Sequence, residues 1–144
     1  MYISKIVKEI AEGNDQSFYH GPKSFQNLRD KKKGVVFPVC YLSMPVRGRG
    51  VKSKQGFSGA EKTIEILFAE RSDFSADTEE GHIDIIERMD DAAHKFVNQL
   101  LHHAEINDVL EYDTVDVINM FDANLSGVIL TATVKTKDLR PNCP

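Results

Sequence analysis

Between Ile85 and Ala104 the apolar residues fall at helical spacing, and no other stretch of this chain constrains the fold so tightly. Ile85, Ile86, Met89, Ala93, Phe96, Val97, Leu100, Leu101 and Ala104 hold the period for about six turns. Asp84, Glu87, Arg88, Asp91, Lys95 and His102 fall on the opposite side. Asp77 followed by Glu80 has the spacing of a capping box and marks the start. A long helix with one apolar stripe must be laid on something broad, and the flanking sequence supplies strands.

The segment from Gly34, VVFPVCYL, is β-branched and aromatic, and reads as a strand. Pro38 lacks an N–H, which places this strand at a sheet edge or bulges it there. Lys62–Glu70 alternates, with Ile64, Ile66 and Phe68 on one face and Thr63, Glu65 and Leu67 on the other. One face is therefore dry and the other at least half wet. After the long helix come two strands, about Asp113–Phe121 and Ser126–Lys135, joined by the turn-prone Asp122-Ala123-Asn124. Val115, Val117 and Phe121 alternate in the first, and Val128, Leu130, Ala132 and Val134 in the second. At the front, Ile3, Ile6, Val7 and Ile10 make a short helix stopped by Gly13-Asn14. Asn14–Gly34 is mostly polar, with a turn at Gly21-Pro22 and Phe18, Tyr19 and Phe25 as contacts to the core.

The resulting order, α-β-β-α-β-β, predicts an α+β domain: an antiparallel four-stranded sheet packed against the long central helix. The 144 residues make one domain, 1–144, with a flexible tail over about 136–144. The loop between the first two strands is unusually long. Ser43–Glu61 holds Pro45, Gly48, Gly50, Gly56 and Gly59, together with Arg47, Arg49, Lys52 and Lys54, and no acid before Glu61. Structureless loops beyond ~12–15 residues are uncommon in compact domains unless they have a task. An arm over about 43–61, extending from the body, is expected.

Charge is divided along the chain. Residues 1–62 carry 12 Lys/Arg against 5 Asp/Glu, and residues 63–144 carry 6 against 17. A basic front and an acidic back let copies of one chain dock front to back, with charge steering the encounter. The 41% hydrophobic content is ordinary for a globular protein, and no apolar run approaches the length that spans a bilayer. The first residues, MYISKIVKEIAEG, lack the features of a signal peptide, so the chain reads as made in the cytoplasm, with no membrane partner. Cys40 and Cys143 do not form a disulfide framework and read as free thiols.

The chemistry-bearing residues do not assemble into a recognisable motif. His102 and His103 are adjacent, so a helix points them apart, and His82 and His94 lie three turns from each other. There is no CxxC or HxxxH. Glu79-Glu80 and Asp90-Asp91 are successive carboxylates that diverge on a helix, and the first pair complements the helix N-terminus. RGRGVKSKQGFSG lacks P-loop spacing and links two strands. The expectation is a non-enzymatic protein with no catalytic, cofactor-binding or metal-binding set.

Three stretches carry a resemblance: YHGPKSFQNL, FAERSDF ahead of the long helix, and FDANLSGVILTATV near the end. Together with VVFPVCYLSMPV and ERMDDAAHKFVNQLL they make the chain, from about Tyr19 to Val134, resemble small structural proteins of tailed bacteriophages and prophages. The element order is similar to that of tail-terminator and tail-completion proteins. That resemblance implies a virion protein, a ring of usually six subunits at the head–tail junction or tail end. It implies tail-tube and neck or connector proteins as partners, and duplex DNA passing through the lumen without sequence readout. The family's loop after the first strand is more acidic or neutral than MPVRGRGVKSKQG. In this reading Arg47, Arg49, Lys52 and Lys54 meet acids on an adjoining subunit's helix, such as Asp84, Glu87 or Asp91. The alternative is a nucleic-acid-binding accessory protein using the basic 43–61 loop. The net charge of −4 and the presence of Phe57 as the loop's one stacking residue weigh against it.

Overall fold

Two helices and a six-stranded sheet make up the structure, a computed structural model that describes residues 2–22, 38–53, 56–71, 79–120 and 125–137. The elements are α1 (Ile3–Gly13), β1 (Ser17–Pro22), β2 (Val39–Met44), β3 (Arg47–Ser53), β4 (Gly56–Arg71), α2 (Glu79–Leu101), β5 (Ile106–Met120) and β6 (Leu125–Thr136). Strand order across the sheet is β1-β2-β4-β6-β5, with β3 also paired to β4. Only β1–β2 is parallel; the other pairs are antiparallel. The expected four-stranded antiparallel sheet is thus a mixed sheet of six strands.

Both additional strands fall in segments that read as connectors. In β1, Phe18 packs on the helix-side core and Tyr19 on the opposite cluster, a two-residue alternation too short to register in a polar stretch. Most of the 43–61 segment is not a structureless loop: Arg47–Ser53 pairs antiparallel with Gly56–Thr63 of β4, with Gly48 and Gly50 on the ladder. Strands β2 and β3 lie end to end along one side of β4. Leu42 pairs with Ile66 and Arg47 with Thr63, so five residue steps on one side match three on the other. The chain bulges between them, at Ser43–Val46, where the Met44–Pro45 bond is cis.

Pro38 sits just before β2, and β2 is flanked by β1 and β4, so this strand is interior and not an edge. The proline is tolerated because it precedes the first ladder residue; its carbonyl accepts the Ser17 N–H at 3.1 Å. The sequence expectations for residues 23–37 (Phe25 included), 54–55 (Lys54 included), 72–78 (Asp77 included), 121–124 and 138–144 (Cys143 included) lie outside the described residues.

Helix α2 lies over β4, β6 and β5, and α1 packs against α2 and the β1–β2 corner. The helix-side core joins Ile3, Ile6, Val7 and Ile10 of α1 to Ile64, Ile66 and Phe68 of β4, Met89, Phe96 and Leu100 of α2, and Val128, Leu130 and Val134 of β6. Phe68 and Phe96 are fully buried, their rings 5.4 Å apart and tilted by 59°. Burying an aromatic or branched side chain of this size contributes about 1.5–3 kcal/mol. The apolar stripe of α2 ends at Leu100: Leu101 and Ala104 are exposed. Asn14 and Gln99 tie the helices together through two amide hydrogen bonds, Asn14 Nδ2 to Gln99 Oε1 at 2.6 Å and Gln99 Nε2 to Asn14 Oδ1 at 3.0 Å. The turn after α1 places Asp15 at φ 57°, a left-handed conformation that short polar side chains tolerate.

The opposite face of the sheet carries a second cluster: Val39, Tyr41, Leu67, Ala69 and Leu125, all fully buried, with Tyr19, Val117 and Ile129 against them. The alternation of β4 is as expected, with Ile64, Ile66 and Phe68 dry, Thr63 exposed and Glu65 partly so.

Candidate assembly surfaces

Pairing register places every charged strand residue on a defined face. Arg47 stands opposite Thr63 and Arg49 opposite Glu61 on β4. Those β4 residues pair with Thr133 and Lys135 of β6, which in turn face Glu111 and Asp108 of β5. Side chains directly opposite one another share a face. The helix-free face therefore carries a row Arg49–Glu61–Lys135–Asp108 and, beside it, a row Arg47–Thr63–Thr133–Glu111. The two threonine hydroxyls in the second row meet at 3.4 Å. A third row runs Glu65–Thr131–Asp113, and the next, Tyr41–Leu67–Ile129–Val115, is apolar. One half of this face is polar and open; the other merges into the second buried cluster.

The same registers fix the two flanks. Arg47 and Arg49 are exposed on β3, on the β2/β3 side of β4. Strand β5, with exposed Asp108, Glu111, Asp113 and Asp116, is the terminal strand on the far side. Among the described residues no strand pairs with its outer edge. That edge also exposes Leu110 (48%), Tyr112 (41%) and Val115 (61%), and Ile83 of α2 is 55% exposed.

Acids of α2 add to the β5 flank. Glu87 and Asp90, with Ile83 and Ile86, line an open groove of about 540 Å³ whose other wall is Thr114 and Asp116. Asp84 and Asp91 are exposed, seven residues apart and so on one side of the helix. Arg88, between them on the same side of the helix, donates to Glu70 Oε2 at 2.6 Å. That hydrogen bond, helped by the nearby charges of Glu70 and Asp84, pushes the Arg88 pKa up. His94 stands beside the groove with Nδ1 3.1 Å from the Tyr112 hydroxyl and Nε2 3.4 Å from Asp90 Oδ2.

The interaction residues expected from sequence are thus divided. Arg47 and Arg49 share the helix-free face, and Lys52 lies on β3 opposite Phe57. Asp84, Glu87 and Asp91 belong to the helical layer, and of these Glu87 lines the groove beside β5. Asp108, Glu111 and Asp113 of β5 sit on the strand face that matches the arginines, while Asp116 faces the helical layer, and sequence alone does not single them out. The signal was obscured because Asn107 and Leu110 fall at register shifts that break the alternation ahead of Asp113.

The histidines have structural surroundings. His102 Nδ1 is 2.7 Å from the Asn98 carbonyl, while His103 Nδ1 accepts the Glu105 N–H at 3.1 Å and its Nε2 is 3.5 Å from Glu9. Among the described residues no group of His, Cys, Asp and Glu is arranged to hold a metal ion. No described helix is long and apolar enough to cross a membrane. Cys40 is fully buried, and burial pushes its thiol pKa up. In comparisons with known proteins, no family model, no curated protein and no solved structure matches the chain.

Proposed function

We propose that this protein is a non-enzymatic virion subunit that assembles head to tail into a closed ring at the neck or tail end of a tailed bacteriophage. The observation that carries this reading is the position of the two charge sets. The cationic hairpin, with Arg47 and Arg49, and the acidic β5–α2 flank lie on opposite sides of one sheet. Unlike, complementary surfaces are what a heterologous contact needs, and such contacts form rings when the rotation closes. A self-complementary patch would instead pair two copies about a twofold axis, which acid against acid opposes.

The hairpin suits this role on physical grounds. Strand β6 reaches only to Thr136, opposite Ala60, so Gly56–Gly59 and their partners on β3 extend past the end of that ladder. A two-stranded extension reaches a neighbour without enlarging the core. The ring's lumen passes duplex DNA, and tail-tube and neck proteins are its axial partners.

Negative-stain electron microscopy of the purified protein, alone and with isolated tail tubes, tests the reading. Closed rings with a lumen wide enough for duplex DNA, or end-caps on the tubes, are the expected result. Tubes left bare by a protein that forms no rings overturn it.

A further inference from the structure

We infer that the junction between copies is a strand addition: β3 of one copy pairs with the outer edge of β5 of the next. Arg47 stands opposite Asp113 and Arg49 opposite Glu111 in this junction. The inference rests on the head-to-tail reading above and names its contact residues.

A 15-residue terminal strand whose outer edge is unpaired among the described residues is a template for pairing, and proteins blunt such edges with charges, Pro, bulges or a covering element. Here β5 carries bulges and acids, and between them it also exposes Leu110, Tyr112 and Val115. Its acids Asp108, Glu111, Asp113 and Asp116 set acid against acid if two β5 edges meet, so a second copy's β5 is disfavoured. A cationic strand is favoured, and β3 carries Arg47 and Arg49 with no acid among its residues.

Face and spacing then select the partners. Arg47 and Arg49 are on the helix-free face, two residues apart; Glu111 and Asp113 are on the helix-free face, two residues apart. Adding a strand in plane keeps each face continuous, so the arginines land beside these acids and not against Asp84, Glu87 or Asp91 in the helical layer. Rotation about an axis along the strands preserves strand direction. Successive antiparallel pairings, β3–β4, β4–β6 and β6–β5, set β3 and β5 in opposite directions, so the junction is antiparallel. That register places Gly48, over which the Lys62 side chain lies, opposite the half-exposed Tyr112 on the helix side.

The test uses neutral substitutions at exposed positions. R47S/R49S and E111S/D113S are each expected to weaken self-association at least about tenfold by sedimentation. Mixed together, the two variants form a one-to-one dimer through the intact β3 of one and β5 of the other. D84S/E87S/D91S changes association less than about threefold. Circular dichroism checks that each variant is folded. As a second arm, R47E/R49E combined with E111K/D113K in one chain restores association that either pair alone abolishes. Loss in the α2 variant with no effect in the β5 variant overturns the inference, as does a wild-type protein that stays monomeric at every concentration. If the variant pattern holds but the wild type grows into open filaments, the junction stands and the ring reading falls.

Discussion

Arg49 and Asp108 stand at the two ends of one cross-strand row, with Glu61 and Lys135 between them, so charge alternates across four strands. Each neighbour in the row opposes its partner in sign. E61K would set three cations side by side and is expected to lower stability by about 1 kcal/mol. Adding K135E restores attraction at the centre of the row but sets an acid beside Asp108 and leaves the cations at 49 and 61 adjacent, so it is expected to return little of the loss. Urea unfolding midpoints for the two single variants and the double measure this directly.

Gly127 lies opposite Ala69 where β6 crosses β4. A Cβ there would overlap the Phe68 carbonyl oxygen and approach Ala69 Cα to 2.9 Å. Both obstacles are backbone, so neither can rotate away. G127A is expected to destabilise the protein by about 3 kcal/mol or more, or to prevent folding, as read by thermal unfolding. Gly13, with open space around its Cβ position, is a matched control.

Asn14 and Gln99 exchange two hydrogen bonds and act as one unit between α1 and α2. N14A and Q99A should each cost about 1 kcal/mol. The double variant should cost about as much as either single one, because the second truncation removes no further contact. A double-mutant cycle in urea checks the coupling; additive losses would dissolve the pair.

Cys40 and Tyr41 are successive, fully buried residues of β2 that face opposite clusters. Burial pushes both pKa values up. Their folded pKa values are above the unfolded ones, so their contribution to stability is complete below the unfolded pKa and declines as pH rises beyond it. Stability is therefore expected to fall as pH rises past about 9. C40A should flatten part of that decline. Native Cys40 should also resist alkylation at pH 8 and react on unfolding, since the thiolate is the nucleophile.

How much of this was legible in the residues follows from pattern length. The stripe of α2 and the alternation of β4 each run long enough for periodicity to identify the element and its buried face. Ser17–Pro22 has one apolar residue for each face before Gly21-Pro22 closes it, so β1 is visible only through its pairing with β2. Strand β3 has four side chains that read as loop, Arg47, Arg49, Lys52 and Ser53, with Gly48 and Gly50 between them. Its β character is imposed by the ladder with β4. The cations of the candidate surface could be named from composition alone. Their matching acids could not, because face assignment on β5 depends on bulges that leave no compositional mark.

The central claim is that copies join through unlike surfaces and that the series closes. Native mass measured by sedimentation against concentration tests it most directly. The expected outcome is a single large multiple of the 16.2 kDa chain that stops growing once formed and is lost in R47S/R49S. An assembly that stops at two subunits, and that persists in R47S/R49S, would contradict it.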